Sequence, residues 1–278
     1  MRKISAEKII NAVSHLCIES NYQLNKDLIA LLKKSQQREK GRARRTIASI
    51  LKNIKIAARE KIPICQDTGM VTIFLEVGNN LKIDLGHYSS LSHLIQEGVR
   101  RGYEDGYLRK SIVDSLSRVN TKDNTPAIIH EKIVAGNNLK IKVLIKGFGA
   151  ENMAKIRMLP PDSKEKEIKM FVLNSIRQAS SNPCPPVIVG IGIGGTMERA
   201  ASLAEEALLE PIKSKKRRSQ LEEELLTEIN KLNIGPAGLG GKTTALSVRI
   251  KTFPTHIAGL PVAVNISCWA NRPKEVTL

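Results

Sequence analysis

The stretch Pro63-Ile64-Cys65-Gln66-Asp67-Thr68-Gly69 sets a thiol, an amide, a carboxylate and a hydroxyl on consecutive residues. Four polar side chains of different chemistry, a metal-ligating type among them, are thus gathered in four positions. Pro63 disfavours helix in the residue before it, and Gly69 permits backbone angles that other residues avoid, so the stretch reads as a polar loop. Two more cysteines sit in similarly punctuated places: Cys184 in Asn182-Pro183-Cys184-Pro185-Pro186, and Cys268 in Ser267-Cys268-Trp269 after an apolar run. Three loop-borne thiols from distant segments suggest one shared metal site. Cys17 differs, because it falls on the apolar face of a helical pattern and reads as a small buried hydrophobe.

Two glycine-rich stretches invite a phosphate-binding reading. Gly190-Ile191-Gly192-Ile193-Gly194-Gly195-Thr196 lies between the strand-like Val187-Ile188-Val189 and an alanine-rich helix through Leu209. Glycines 190, 192 and 195 fit the dinucleotide fingerprint, but the acidic strand end expected about 20 residues on is replaced by the basic run 211–218. In Gly235-Pro236-Ala237-Gly238-Leu239-Gly240-Gly241-Lys242-Thr243, Pro236 occupies the place of the first P-loop glycine. Lys242 then reads equally as a surface lysine beside a turn or as a border to an anionic substrate.

The elements that position these loops follow from periodicity. Ile9, Val13, Leu16 and Cys17 predict a helix after Ser5, a second follows Asn25, and a third spans residues 45–59, with a solvated basic connection at 38–45. Residues 71–77 read as a strand, Leu91, Leu94, Ile95 and Val99 as a helix, and Ile141, Val143 and Ile145 as a half-buried strand. A permissive loop is expected at 147–152, a helix at 164–179, and strands at 246–250 and 262–266, the last delivering Cys268. The class is α+β.

At 278 residues the chain has room for one large domain or two modest ones. Four unpaired-looking cysteines fit a reducing interior, and with neither an apolar run of about 18 residues nor a signal-peptide core, a cytoplasmic protein with no membrane association is expected. A net charge of +17 raises nucleic acid as a partner, yet aromatic residues make up 3% and no recognised binding signature accompanies them. The reading is therefore a lysine-rich solvated surface that attracts anionic metabolites, with no nucleic acid partner.

The motifs Cys65-Gln66-Asp67-Thr68-Gly69, Asn182-Pro183-Cys184-Pro185-Pro186, 190–196, and Ser267-Cys268 with Ala270-Asn271-Arg272 resemble the alpha subunit of two-subunit class I fumarate hydratases. They are similar also to the alpha subunit of the related L(+)-tartrate dehydratase. The resemblance covers essentially the whole chain, from the first helix to about Arg272, and implies one catalytic domain over residues 1–278, residues 1–60 being its helical N-terminal part and the rest surrounding a cluster-bearing cleft. It implies that Cys65, Cys184 and Cys268 hold a [4Fe-4S] cluster and that Asp67 takes part in proton transfer. Gln66, Arg109 and Gly149 would contact a C4 dicarboxylate substrate, Arg109 as a two-pronged carboxylate clamp. The local alternatives are a turn-capping carboxylate for Asp67 and a surface cation for Arg109. The family's glycine-rich loop commonly reads Lys-Gly-Gly-Gly-Ser before its Asn, whereas this chain has Phe148 and Ala150 there. The remaining substrate contacts are expected from a beta subunit, in a heterodimer or heterotetramer. A nucleotide- or nucleic-acid-binding module is the reading from another class.

Overall fold

Helical and alternating apolar patterns resolve into a mixed set of elements in the computed structural model, which describes residues 2–212 and 219–278. Helix makes up 41% and strand 24%, an α+β composition. The first half runs β1 (Lys3–Ser5), α1 (Ala6–Tyr22), α2 (Lys26–Arg38), α3 (Gly41–Glu60), β2 (Met70–Gly78), β3 (Lys82–Asp84), α4 (Leu91–Asp105), β4 (Ile128–Val134) and β5 (Leu139–Lys146). The second runs α5 (Phe148–Glu151), β6 (Lys155–Leu159), α6 (Glu165–Ala179), β7 (Val187–Ile193), α7 (Met197–Leu208), α8 (Gln220–Lys231), β8 (Ala245–Thr252), β9 (Leu260–Ser267) and β10 (Lys274–Thr277).

The chain divides into two compact units. The first comprises Met1–Leu24, Ile56–Gly147 and Arg272–Leu278. Its four-stranded sheet has the order β10-β5-β2-β4, with β2 and β4 parallel and the other pairs antiparallel. Val71, Ile73 and Leu75 of β2 and Ile141, Val143 and Ile145 of β5 alternate onto one face, where they join Ile9, Ile10 and Val13 of α1 and Leu94, Ile95 and Val99 of α4 in one core. Gly98 and Gly102 lie inside α4 and serve its packing against α1. A Cβ on Gly98 would come within 2.6 Å of the Val13 Cβ, and one on Gly102 within 2.9 Å of the Cys17 Cβ. Cys17 is fully buried, as its spacing implied, and burial pushes its thiol up to about 12.

The second unit comprises Asn25–Lys55 and Phe148–Asn271. Its sheet has the order β6-β9-β7-β8, again with one parallel pair, β7 and β8, and two antiparallel pairs. The two sheets share a plan: a first strand, a helical crossover, a parallel second strand, and a third strand antiparallel to the first.

Several elements differ from expectation. The basic stretch 38–45 is mostly helix, since α3 starts at Gly41, whose φ is +52°, and buries Ala43 on its first turn. The loop expected at 147–152 contains the one-turn α5. Strands β6 and β10 and helix α8 were not anticipated. The last four residues of the strand beginning at Val187 are Gly190, Ile191, Gly192 and Ile193, so two of the fingerprint glycines belong to β7. A Cβ on Gly190 would lie 2.1 Å from the Ala204 carbonyl oxygen and one on Gly192 2.0 Å from that of Ala200. These glycines let α7 pack directly on the strand. Part of the basic run noted in the sequence, 213–218, lies outside the described residues.

Candidate active site

In the first unit, sheet register gathers the chemistry at one end. Met70 pairs with Lys146, and Lys274 with Val143, so the loop before β2, the residues after β5 and those before β10 share that end. The loop contains Cys65 to Gly69. The Cys65 Sγ accepts the Asp67 N–H at 3.4 Å, and the thiol faces the Gln66 Oε1 at 3.4 Å. The Asp67 Oδ1 accepts the Gly69 N–H at 2.9 Å, closing an Asx turn, while Gly69 takes φ +78°. A Cβ on Gly147 would come within 2.8 Å of the Asp67 Oδ2, so the Asp67 carboxylate lies where only glycine leaves it room. Gln66 is exposed and Asp67 half-buried.

The loop is tied down from several directions. The Thr68 Oγ1 donates to the Arg109 carbonyl at 2.6 Å, which fixes the backbone of Arg109 beside the loop and leaves its side chain exposed. The Tyr103 hydroxyl donates to the Thr68 carbonyl at 2.6 Å, and the Gly69 carbonyl lies at 3.1 Å. Burial pushes this phenol well above the ordinary tyrosine range, so it remains a protonated donor. The Asn124 Nδ2 donates to the Gly69 carbonyl at 3.2 Å, and the Arg272 Nη2 to the Asp67 carbonyl at 3.0 Å.

In the second unit, Ile188 pairs with Ser267, which sets Cys184, before β7, and Cys268, after β9, at the same end of that sheet. Cys184 is exposed, with φ +51°, and its N–H donates to the Ser181 carbonyl at 3.0 Å. The Cys268 Sγ accepts the Ala270 N–H at 3.3 Å, the same two-residue turn to sulfur seen at Cys65. Asn271 fastens this loop by donating to the Leu208 carbonyl at 3.0 Å. Gly149 is exposed beside the Cys184 segment: a Cβ on it would stand 3.5 Å from the Asn182 carbonyl. The P-loop-like glycines also serve this segment. The Ala237 N–H donates to the Pro185 carbonyl at 2.7 Å, and a Cβ on Gly238 would strike Ser181 at 2.3 Å. Lys242 is exposed.

The cysteines are thus divided, Cys65 in the first unit and Cys184 and Cys268 in the second, and none forms a disulfide. Among the described residues, no three His, Cys, Asp or Glu side chains gather as a metal-binding group. Asp67, Gln66 and Arg109 are brought together in one unit, and Gly149 joins Cys184 in the other. Tyr103, Asn124 and Arg272 were not singled out as functional from sequence. Only Arg272 had a signal, its place in the motif after Cys268.

The loop before β2 sets a thiol two residues from a carboxylate, in a fold of mixed strands and helices. The family profile of fumarate hydratase (Fumerase) matches residues 10–277, and the chain belongs to that family. It is 39% identical over 274 residues to a putative L(+)-tartrate dehydratase subunit alpha of Methanocaldococcus jannaschii, covering 95% of both chains. It is 29% identical to the L(+)-tartrate dehydratase subunit alpha of Escherichia coli K12, covering 96% of this chain and 90% of that one. A putative class I fumarate hydratase of Geobacillus stearothermophilus is 30% identical, with 96% of this chain matching 54% of the longer protein. These relatives are named as hydro-lyases or as alpha subunits of one, which supports a hydro-lyase relationship for the chain. No helix among the described residues is long and apolar enough to cross a membrane.

Proposed function

We propose that this chain is the cluster-bearing alpha subunit of a hydro-lyase that interconverts fumarate and (S)-malate. The observation that carries the reading is the loop from Cys65 to Gly69, which holds a sulfur and a carboxylate two residues apart beside the backbone of Arg109. A [4Fe-4S] cluster suits the donor set. Cys65, Cys184 and Cys268 are loop-borne and outside disulfides, and two of the sulfurs accept backbone N–H bonds of the kind that tune thiolate ligands. Such a cluster, held by three thiolates, supplies Lewis acidity toward a hydroxyl leaving group.

The chain's own residues do the rest. Asp67 takes the proton from the carbon next to the departing hydroxyl in the dehydration direction and returns it in hydration. Its tight seat against Gly147 fixes the direction from which it acts. Arg109 clamps one substrate carboxylate through its planar pair of donors, Gln66 supplies a hydrogen bond, and the backbone at Gly149 lies against the substrate. A beta subunit provides contacts to the second carboxylate. The working compartment is the cytoplasm.

L(+)-tartrate is the second substrate reading, favoured by the near full-length likeness to a putative tartrate dehydratase alpha subunit. Anaerobic reconstitution with iron and sulfide, together with the beta subunit, followed by turnover of fumarate, malate and L(+)-tartrate, tests both. Faster turnover of fumarate is expected. Preference for tartrate would transfer the assignment to that acid, and inactivity toward all three would remove the proposal.

A further inference from the structure

Three successive carbonyls of the candidate loop are each held by a side chain from a different segment of the first unit. Arg272 holds that of Asp67, Tyr103 that of Thr68, and Asn124 that of Gly69. All three side chains belong to buried residues, 2%, 0% and 1% exposed. Thr68 and Gly69 are buried, so their carbonyls need donors; that three in sequence find them on side chains from separate segments constrains the backbone of the loop. The N–H groups of the same loop go elsewhere, that of Asp67 to the Cys65 sulfur and that of Gly69 to the Asp67 carboxylate.

Arg272 is the unusual member. Its charged group is buried, and its Nε–H has no hydrogen-bond partner among the described residues. A backbone carbonyl could be held by a neutral donor, as Tyr103 and Asn124 do, without the desolvation cost of a guanidinium. A fixed positive charge under the loop adds something those neutral donors lack: it draws the carbonyl dipole inward and opposes its reversal.

We propose that Arg272 is a positioning residue which, with Tyr103 and Asn124, locks the carbonyls of residues 67–69 inward. The backbone that carries the Cys65 sulfur, the Gln66 amide and the Asp67 carboxylate is thereby held in one conformation, with the carbonyls of residues 67–69 committed to protein donors rather than directed at an anionic substrate. The functional half of this inference rests on the loop being the active site; the structural half does not.

The two halves are read by separate experiments on Arg272→Met, Arg272→Lys and Tyr103→Phe. Amide hydrogen exchange of the full chain without its cluster reads the lock alone. Exchange at residues 66–69 should rise about tenfold or more in Arg272→Met and Tyr103→Phe, while β2 and β5 remain protected, and Arg272→Lys should fall between. Unchanged exchange at 66–69 in Tyr103→Phe and Arg272→Lys would overturn the lock, even were Arg272→Met to misfold. In the reconstituted two-subunit enzyme, kcat should fall about tenfold with KM little changed, and Arg272→Lys should recover part of the loss. Increased exchange with full turnover would overturn the positioning role. Failure of the unmodified enzyme on every C4 dicarboxylate would instead refute the functional assignment, leaving the exchange result to judge the lock.

Discussion

At the level of single residues, Cys17 and Cys65 show how one side-chain type divides by environment. Cys17 is packed against Gly102 inside the α1–α4 contact, where burial keeps its thiol protonated, whereas Cys65 lies in a polar loop with a backbone N–H directed at its sulfur. Replacement of Cys65, Cys184 or Cys268 by serine is therefore expected to abolish a stable cluster, and Cys17→Ser to leave iron and sulfide content unchanged with some loss of stability. Iron and sulfide analysis of the four variants checks this, and normal iron in Cys184→Ser would remove that ligand. Asp67 presents a cleaner separation. Asparagine retains the Oδ1 that accepts the Gly69 N–H, so Asp67→Asn preserves that turn bond while removing the proton-accepting charge. If the carboxylate only caps the turn, turnover survives; if it moves a proton, kcat falls by about 10² to 10⁴ with the cluster intact. Steady-state kinetics distinguish the two. Cys65 and Asp67 stood out in the sequence because they sit in a polar stretch between Pro63 and Gly69, and Cys184 and Cys268 because flanking prolines and the end of an apolar run set them in loops. Tyr103 and Asn124 did not, because a buried tyrosine on an amphipathic helix and an asparagine in a polar run look the same whether or not their side chains hold a distant carbonyl.

Among the elements, β7 and α7 show where periodicity reads correctly and where composition misleads. Strand, glycine turn and helix were legible in order, and Gly194 and Gly195, with φ of +92° and +73°, do make the turn before Thr196 caps α7. The strand's length was not legible, because Gly190 and Gly192 are poor strand formers that the close approach of α7 requires. Gly192→Ala should accordingly act through packing. The new methyl would meet the Ala200 carbonyl, a backbone atom that cannot swing aside, so a loss of about 3 kcal/mol is expected in thermal or urea unfolding. Unaltered stability would reopen the ligand-cradle reading of these glycines. Helix α4 carries an electrostatic test. The Arg100 guanidinium beside Glu97, seconded by Arg101, holds that carboxyl at about 2, below its usual value of 4.5. A folded-state value below the unfolded one means that the stabilisation is complete above about pH 5 and is lost as pH falls through 4.5 toward 2. Arg100 is 42% exposed, so solvent screening limits the effect to under about 1 kcal/mol. Glu97→Gln should be slightly less stable than the parent near neutrality, and the gap should close near pH 2. A gap independent of pH would show that the ion pairs contribute nothing.

At the scale of the whole molecule, the proposed function turns on the charge required to hold a substrate with two carboxylates. The chain's net charge of +17 draws dianions toward it, but attraction over a surface does not orient two carboxylates for elimination. In the proposed site Arg109 supplies one exposed guanidinium, while Arg272 is buried and donates to the Asp67 carbonyl. The proposed function assigns the other carboxylate to cations of a beta subunit. The relatives point the same way: the chain covers 95% of a subunit named alpha but only 54% of a class I fumarate hydratase. The alpha chain with its cluster rebuilt is accordingly expected to show negligible hydratase activity alone. Addition of the beta subunit should restore turnover and lower the KM for the dicarboxylate, since contacts to a second carboxylate contribute binding as well as orientation. Anaerobic turnover of fumarate and malate, measured with and without the partner at equal iron content, decides the matter. Full activity from alpha alone would place both carboxylate clamps within this chain and require a second cation among its own exposed lysines and arginines.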